Sequence, residues 1–316
     1  MNNKAIILST LAYFDLFHYP VTIGEIRFFL PQPLTSAELD QGLKQLLDGG
    51  LIFMWEGFYT VRNEPALIQR RKKGNLLAAD MLRTAERVAA LLVRFPYVRG
   101  VGVSGSLSKH YADEGSDIDL FIITAKNRLW IARSFLHLLK KLSFVIRRED
   151  WFCMNYFIDE SALEIPEKNV YTAIEIVTLI PMQGIRVFTD FARANDWTDR
   201  HLPHSAREID LPGEAKPAFL KRTLERLFAG KLGDLLDDRL MRVTSGRWLK
   251  KTREGRKNNR GVLMSLAAAK HSARPEPGTF QKGLLQNYER KINEMLTRLQ
   301  IEQTLKATQR ISSGGK

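Results

Sequence analysis

The spacing of apolar positions changes repeatedly along the chain, and each change marks an element. Lys4 to Phe17 carries apolar residues at helical spacing, and Thr22 to Leu30 follows a Tyr-Pro-Val turn as a second helix. A third, Ser36 to Leu47, opens on a Thr35/Glu38 capping box and puts Leu39, Leu43, Leu46 and Leu47 on one face. Gly49-Gly50 ends it, and LIFMWEGFYTV then predicts a hairpin turning at Glu56-Gly57. Asn75 to Phe95 is strongly amphipathic and stops at Pro96. Two short apolar runs follow, around Val101–Val103 and Ile118–Ile123, joined by a polar, glycine-containing connection; they read as buried strands. From Asn127 the run RLWIARSFLHLLKKLSFVIRR predicts a long helix leading to a third strand, Trp151 to Ile158. A helix of that length is the usual crossover between parallel strands. Beyond it the periodicity is helical: Asn169 to Ile180, stopped by Pro181; Ala218 to Arg242, after a connection at Asp210–Pro217; and Thr279 to Lys306, with Leu284, Tyr288, Ile292, Met295 and Leu299 on one stripe.

These elements predict an α+β multidomain chain. Residues 1–65 form one unit, residues 66–165 a small mixed-sheet core, and residues 166–316 a helical domain. The order of helices and hairpin in the first unit resembles a winged helix. Its charge argues against duplex reading, since residues 1–65 hold four basic side chains against seven acidic ones. Phosphate neutralisation supplies most DNA affinity, so an accessory or protein-contact role is favoured there.

Composition narrows the setting. With 316 residues, 44% of them hydrophobic, the chain can bury real cores without staples. Its single cysteine, Cys153, excludes an internal disulfide framework and fits a reducing, cytoplasmic compartment. The apolar N-terminal patch is interrupted by Asp15 and reads as no signal peptide, and the longest apolar stretches fall short of a span, so no membrane partner is expected. The net charge of +13 invites a polyanion.

The specific chemistry lies in GVSGSLSKHYADEGSDIDLFII, residues 102–123. Strand alternation puts Asp117 and Asp119 on one face, where two carboxylates repel unless a cation lies between them. Hard oxygen ligands suit Mg²⁺ or Mn²⁺, which keep water and phosphate oxygens as their other ligands. Gly105-Ser106 follows a strand and opens a turn whose backbone N–H groups can face an anion. The alternative reading is a strand ending in a polar turn with both aspartates merely solvated.

Gly105-Ser106, ten residues, then Asp117-Ile118-Asp119 is similar to the signature of the DNA polymerase beta-like nucleotidyltransferases. The closest likeness is to the small group with a GSxARGxAxxxSDxDL pattern, which Ser116 and Leu120 also match, with Lys109 at a basic position. His110 departs from it, standing where that group has a second glycine. The resemblance implies transfer of a nucleoside monophosphate from an NTP to an acceptor hydroxyl: Asp117 and Asp119 hold the metal, Gly105, Ser106 and Ser116 shape the phosphate site, and Lys109 is a charge partner. The acceptor, whether small molecule, protein or nucleic acid, is not readable. The family places a third carboxylate on the third strand, where this chain has Asn155. On strand parity Asp159 shares that residue's face and is the geometric candidate for the third metal ligand, with Glu160 facing the other way unless the strand bends. The neutral Asn155 favours a second reading, a catalytically weak nucleotide-binding regulator whose winged helix contacts DNA or a protein.

Two basic stretches remain. Arg70 to Gly74 reads as a basic hinge or, the favoured reading, as a solvated helix start. Residues 241–260 hold eight basic residues around Trp248 and one acid, a pattern equally that of a polyanion groove with an aromatic platform and of a solubilising loop.

Overall fold

The computed structural model describes residues 2–145, 153–205, 219–255, 266–275 and 280–313. Its class is α+β. The N-terminal unit comprises α1 (Asn3–Asp15), β1 (Val21–Thr22), α2 (Ile23–Phe28), α3 (Ser36–Asp48), β2 (Phe53–Trp55) and β3 (Phe58–Thr60). Thr22 and Thr35 each form a capping box, with Glu25 and Glu38. Glu56 and Gly57 both take positive φ, the turn geometry that matches strand twist in a two-residue hairpin. The hairpin gains an unpredicted third strand, since β1 pairs antiparallel with β3.

Helix α1 is buried on nearly every side because it packs against both α3 and α10 (Phe280–Ser313). The C-terminal stripe thus completes the N-terminal core, with Leu284, Met295 and Leu299 buried beside Ile7, Leu11 and Leu43. Arg62 and Lys291 converge on the buried Asp15, at 2.6 and 2.8 Å. Burial opposes ionisation of that carboxyl, but these two partners outweigh it and hold it below the ordinary carboxylate range.

Helix α4 (Ala66–Leu92) begins well before Asn75 and carries the basic stretch in its early turns, with Arg70, Lys72 and Lys73 exposed as a solvated helix start predicts. Arg71 is buried, donating to Glu25, to the Pro20 carbonyl and to Asn75, with its guanidinium 3.7 Å from the Tyr19 ring centroid. The helix passes through Gly74 because the Tyr111 ring lies where a Cβ would be, 2.2 Å from the ideal position.

The second sheet has six strands in the order β7-β4-β5-β6-β9-β8: β4 (Val98–Val103), β5 (Asp119–Thr124), β6 (Cys153–Asp159), β7 (Ile180–Gln183), β8 (Leu266–Ala269) and β9 (Ser272–Pro275). Among the described strands only β5 and β6 run parallel, joined through α5 (Leu129–Val145) as the crossover length predicts. Residues 151–152 of the predicted third strand lie outside the described residues. One sheet face, with Val101, Val103, Leu120, Ile122 and Phe157, packs against α4, α5 and α9 (Lys231–Arg253). The other, with Phe121, Ile123 and Ile158, is covered by α7 (Ile185–Ala194).

A separate helical domain over 166–316 is not what forms. Helix α6 (Val170–Thr178) ends two residues early, and residues 180–183 become an edge strand that accommodates Pro181. Strands β8 and β9 close the opposite edge. The predicted helix from Ala218 is broken into α8 (Phe219–Leu227) and α9, because buried Arg128 draws off the carbonyls of Phe228, Ala229 and Gly230. The connection at Asp210–Pro217 lies outside the described residues. Among the described residues no helix is long and apolar enough to cross a membrane.

Candidate active site

The antiparallel pairing of β4 with β5 carries the chain from Val103, opposite Leu120, into the Gly-Ser turn directly beside Asp119. Ser104 N–H donates to the Asp119 carbonyl at 2.9 Å. Gly105 then takes φ +70°, a left-handed conformation that glycine adopts without strain. A Cβ there would fall 2.7 Å from Asp119 Oδ2, so the missing methyl is the space into which that carboxylate projects. A single 3₁₀ turn, Leu107–Lys109, follows in place of a longer helix. His110 closes it at φ +55°, so the residue replacing the family's second glycine adopts the backbone a glycine would favour.

Asp117 and Asp119 are both half-buried at the mouth of β5. Ser106 is exposed, and its carbonyl accepts from Lys109 N–H and Tyr111 N–H. Ser116 folds the preceding turn by accepting from Asp113 N–H at 2.9 Å. Lys109 is not a pendant charge: its ammonium bonds Gly105 O at 3.1 Å and Glu175 of α6 at 2.8 Å. The buried Ser108 ties the same loop down through Gly105 O and Thr178. From the N-terminal unit, Tyr19 donates its phenolic proton to Lys109 O at 2.7 Å. Burial pushes that phenol far above its usual range, so it remains a donor.

Cys153, which the sequence reading left without a role, is the residue opposite Asp119 across the parallel ladder. Burial, followed by the carboxylates of Asp119 and Asp117, pushes its thiol up to about 12, while Lys140 acts in the opposite direction. It stays protonated, and Asp119 accepts from it. The signal was available only as register: once Asp119 pairs with position 153, the next strand sets a sulfur beside that carboxylate. Glu175 and Tyr171 of α6 also face this cluster, Tyr171 with its phenol raised by burial and then by Glu175 and Asp119.

Asp159 is not part of the site. Two residues of β6, 154 and 155, oppose one of β5, Leu120, between the Asp119–Cys153 and Phe121–Tyr156 pairs. This bulge inverts the alternation on which the parity inference rested. Asp159 consequently pairs with Thr124 at the far end of the sheet, about 17 Å from Asp119 at ~3.3 Å per residue. It is fully buried there and bonded by Asn127 N–H, Ser161 N–H and His271 Nδ1 at 2.8 to 2.9 Å. Glu160 lies at that same end, where its carboxylate accepts from Lys126 N–H. Among the described residues no group of three or more His, Cys, Asp or Glu side chains is arranged to hold a metal ion. Asp117 and Asp119 are therefore the two carboxylates on offer, a donor set that suits a hard divalent cation completing its shell with water and substrate oxygens.

The aromatic platform expected in 241–260 is also absent. Trp248 is buried against Trp130, ring centroids 6.0 Å apart, beneath the Arg133 guanidinium. Residues 256–260 of that segment lie outside the described residues. Comparison with known proteins finds no matching family model, no matching curated protein and no matching solved structure.

Proposed function

We propose that the chain is a metal-dependent nucleotidyltransferase, moving a nucleoside monophosphate from an NTP to an acceptor hydroxyl with pyrophosphate leaving. The observation that carries this reading is the packing of Asp119 into the space left by Gly105, with Asp117 beside it at the mouth of β5. One turn thereby brings an anion-facing backbone against a pair of acids. Asp117 and Asp119 hold Mg²⁺ or Mn²⁺, and the ion, when bound, neutralises triphosphate charge and favours ionisation of the attacking hydroxyl. Gly105 and Ser106 cradle the leaving phosphates through backbone N–H groups and the exposed Ser106 hydroxyl. Lys109, held by Glu175, fixes the loop rather than meeting the phosphates directly, and Tyr19 holds the same loop from the N-terminal unit. That unit is read as winged-helix-like and as a contact module, with the six-stranded sheet as the transferase core. Catalysis of this kind is mostly positioning and electrostatics.

The deciding experiment supplies labelled NTPs, Mg²⁺ and a cell lysate, and identifies what becomes labelled. The Asp117→Ala/Asp119→Ala double variant should label nothing, and undiminished labelling in that variant removes the assignment. The second reading, a weakly catalytic nucleotide-binding regulator, is favoured by the neutral Asn155 on β6, where the resembled family carries a third acid, and by a sulfur, Cys153, rather than a carboxylate opposite Asp119. Calorimetry with NTP and Mg²⁺ alongside a pyrophosphate assay separates the two: binding without release favours the regulator.

A further inference from the structure

Helices α8 and α9 segregate their charges. Their four acids are each engaged by a group from outside the pair: Glu225 by Arg99 at 2.8 Å and Tyr97 N–H at 2.7 Å, Asp234 by Arg128 at 2.5 Å, Asp237 by Ile131 N–H at 2.9 Å, and Asp238 by Lys270 at 3.7 Å. One cation, Lys221, is buried and bonded to the carbonyls of Val93 and Val98. Arg222, Arg226, Lys231, Arg239, Arg242 and Arg253 are exposed, with no acidic partner among the described residues.

Interleaved with them are apolar side chains that protrude into solvent: Phe219 at 85%, Leu227 at 65%, Leu232 at 75% and Leu235 at 68% exposure. At 3.6 residues per turn, Phe219, Thr223 and Leu227 form one stripe of α8, flanked by Arg222 and Arg226. On α9, Leu232, Leu235, Arg239, Arg242, Leu249 and Arg253 share the face opposite buried Gly233, Asp237 and Trp248. Arg222 and Arg226 also line a cleft of about 460 Å³ with Arg99, Lys126 and Arg128, where five cations outnumber the two carboxylates of Glu160 and Glu225, at the end of the sheet remote from Asp119.

We propose that the outward face of α8–α9 docks on an anionic lipid surface, the leucines and Phe219 entering the headgroup boundary while the arginines and the cleft take lipid phosphates. Side chains exposed this far form a ridge rather than a groove, and exposed leucines bordered by arginines suit a headgroup boundary, where aliphatic groups enter and cations meet phosphate. A nucleic-acid backbone accounts for the cations but not for the aliphatic ridge, and the one tryptophan of this helix pair is buried. A second copy of the chain would meet its own positive face. Runs too short to span a bilayer do not bear on a helix pair that lies upon one.

The test is co-sedimentation of the full chain with phosphatidylcholine vesicles, with and without phosphatidylglycerol. Binding should require the anionic lipid, weaken with salt, and fall about tenfold or more in Leu232→Ser/Leu235→Ser. Those side chains contribute little packing, so an unchanged thermal melt certifies the fold. No partition onto phosphatidylglycerol vesicles overturns the proposal. So does partition that the leucine variant leaves intact while Arg222→Glu/Arg226→Glu abolishes it and single-stranded RNA competes, which would make the face a general polyanion site.

Discussion

The two ends of the parallel β5–β6 pair hold aspartates in opposite circumstances. At one end Asp117 and Asp119 are half-buried beside a glycine turn. At the other, Asp159 is sealed from solvent and surrounded by two backbone N–H donors and an imidazole. Asp117 and Asp119 stand at the start of β5 and Asp159 at the end of the neighbouring β6, and only the fold separates a carboxylate that can meet a ligand from one whose lone pairs are committed to holding the chain together. What decides is which end of the strand reaches solvent and how many donors already point at the group.

The sharpest way to break this comparison is to cross the two positions. Asp119→Ala should lower Mg²⁺-dependent NTP turnover by about 10²-fold or more, while costing less than about 1 kcal/mol in urea unfolding. Asp159→Ala should do the reverse, costing about 3 kcal/mol because it strands buried N–H donors, with turnover per folded molecule retained. Equal stability losses at both positions would dissolve the distinction.

A third buried acid, Asp237, lies between these cases. One carboxylate oxygen accepts from Ile131 N–H near the start of α5, the other has no hydrogen-bond partner among the described residues, and burial pushes the group up to about 6. A raised acid binds its proton more tightly in the folded state than in the unfolded one. Stability therefore falls as pH rises from the ordinary carboxylate range through about 6, by roughly 3 kcal/mol at most. Asp237→Asn keeps an acceptor for Ile131 and removes the charge, so urea unfolding of that variant should lose this pH slope and be at least as stable at neutral pH.

The smallest expected effect is at Gly105. Gly105→Ala imposes a left-handed conformation on alanine at a cost of about 1 kcal/mol, and its methyl meets Asp119 Oδ2. The half-saturating Mg²⁺ concentration should rise several-fold in a titration of turnover, with the melt moved by only a few degrees. An unchanged Mg²⁺ requirement would detach Gly105 from the carboxylate site and leave it a turn residue.

Local patterning reached far into this protein. Capping boxes at Thr35 and the hairpin at Glu56-Gly57 formed where their turn chemistry required, and the helix–strand spacing around residues 98–158 led to a β-α-β unit with parallel strands. The Gly105-Ser106 turn and the pair Asp117 and Asp119 are close in sequence and became close in space because an antiparallel pairing of adjacent strands is a short-range event. The failures share one cause. Parity assigned Asp159 to the face of Cys153, and a single bulge reversed it. In the basic run Arg70–Gly74 three cations stayed solvated, but Glu25, distant in sequence, drew Arg71 into the interior. Trp248 looked like a platform and was taken up by Trp130 and Arg133.

The sequence by itself determined which residues could do chemistry and which local turns they would occupy, because capping, alternation and left-handed glycines depend on a few neighbouring residues. Only the tertiary structure decided which strands share a sheet, that the C-terminal helix completes the N-terminal core, that Cys153 faces Asp119, and that the acids of α8–α9 engage partners elsewhere while its cations and leucines stay outside. Those outcomes follow from register and from burial against residues tens or hundreds of positions away, where one inserted residue in a strand or one remote counter-charge changes which face a side chain occupies.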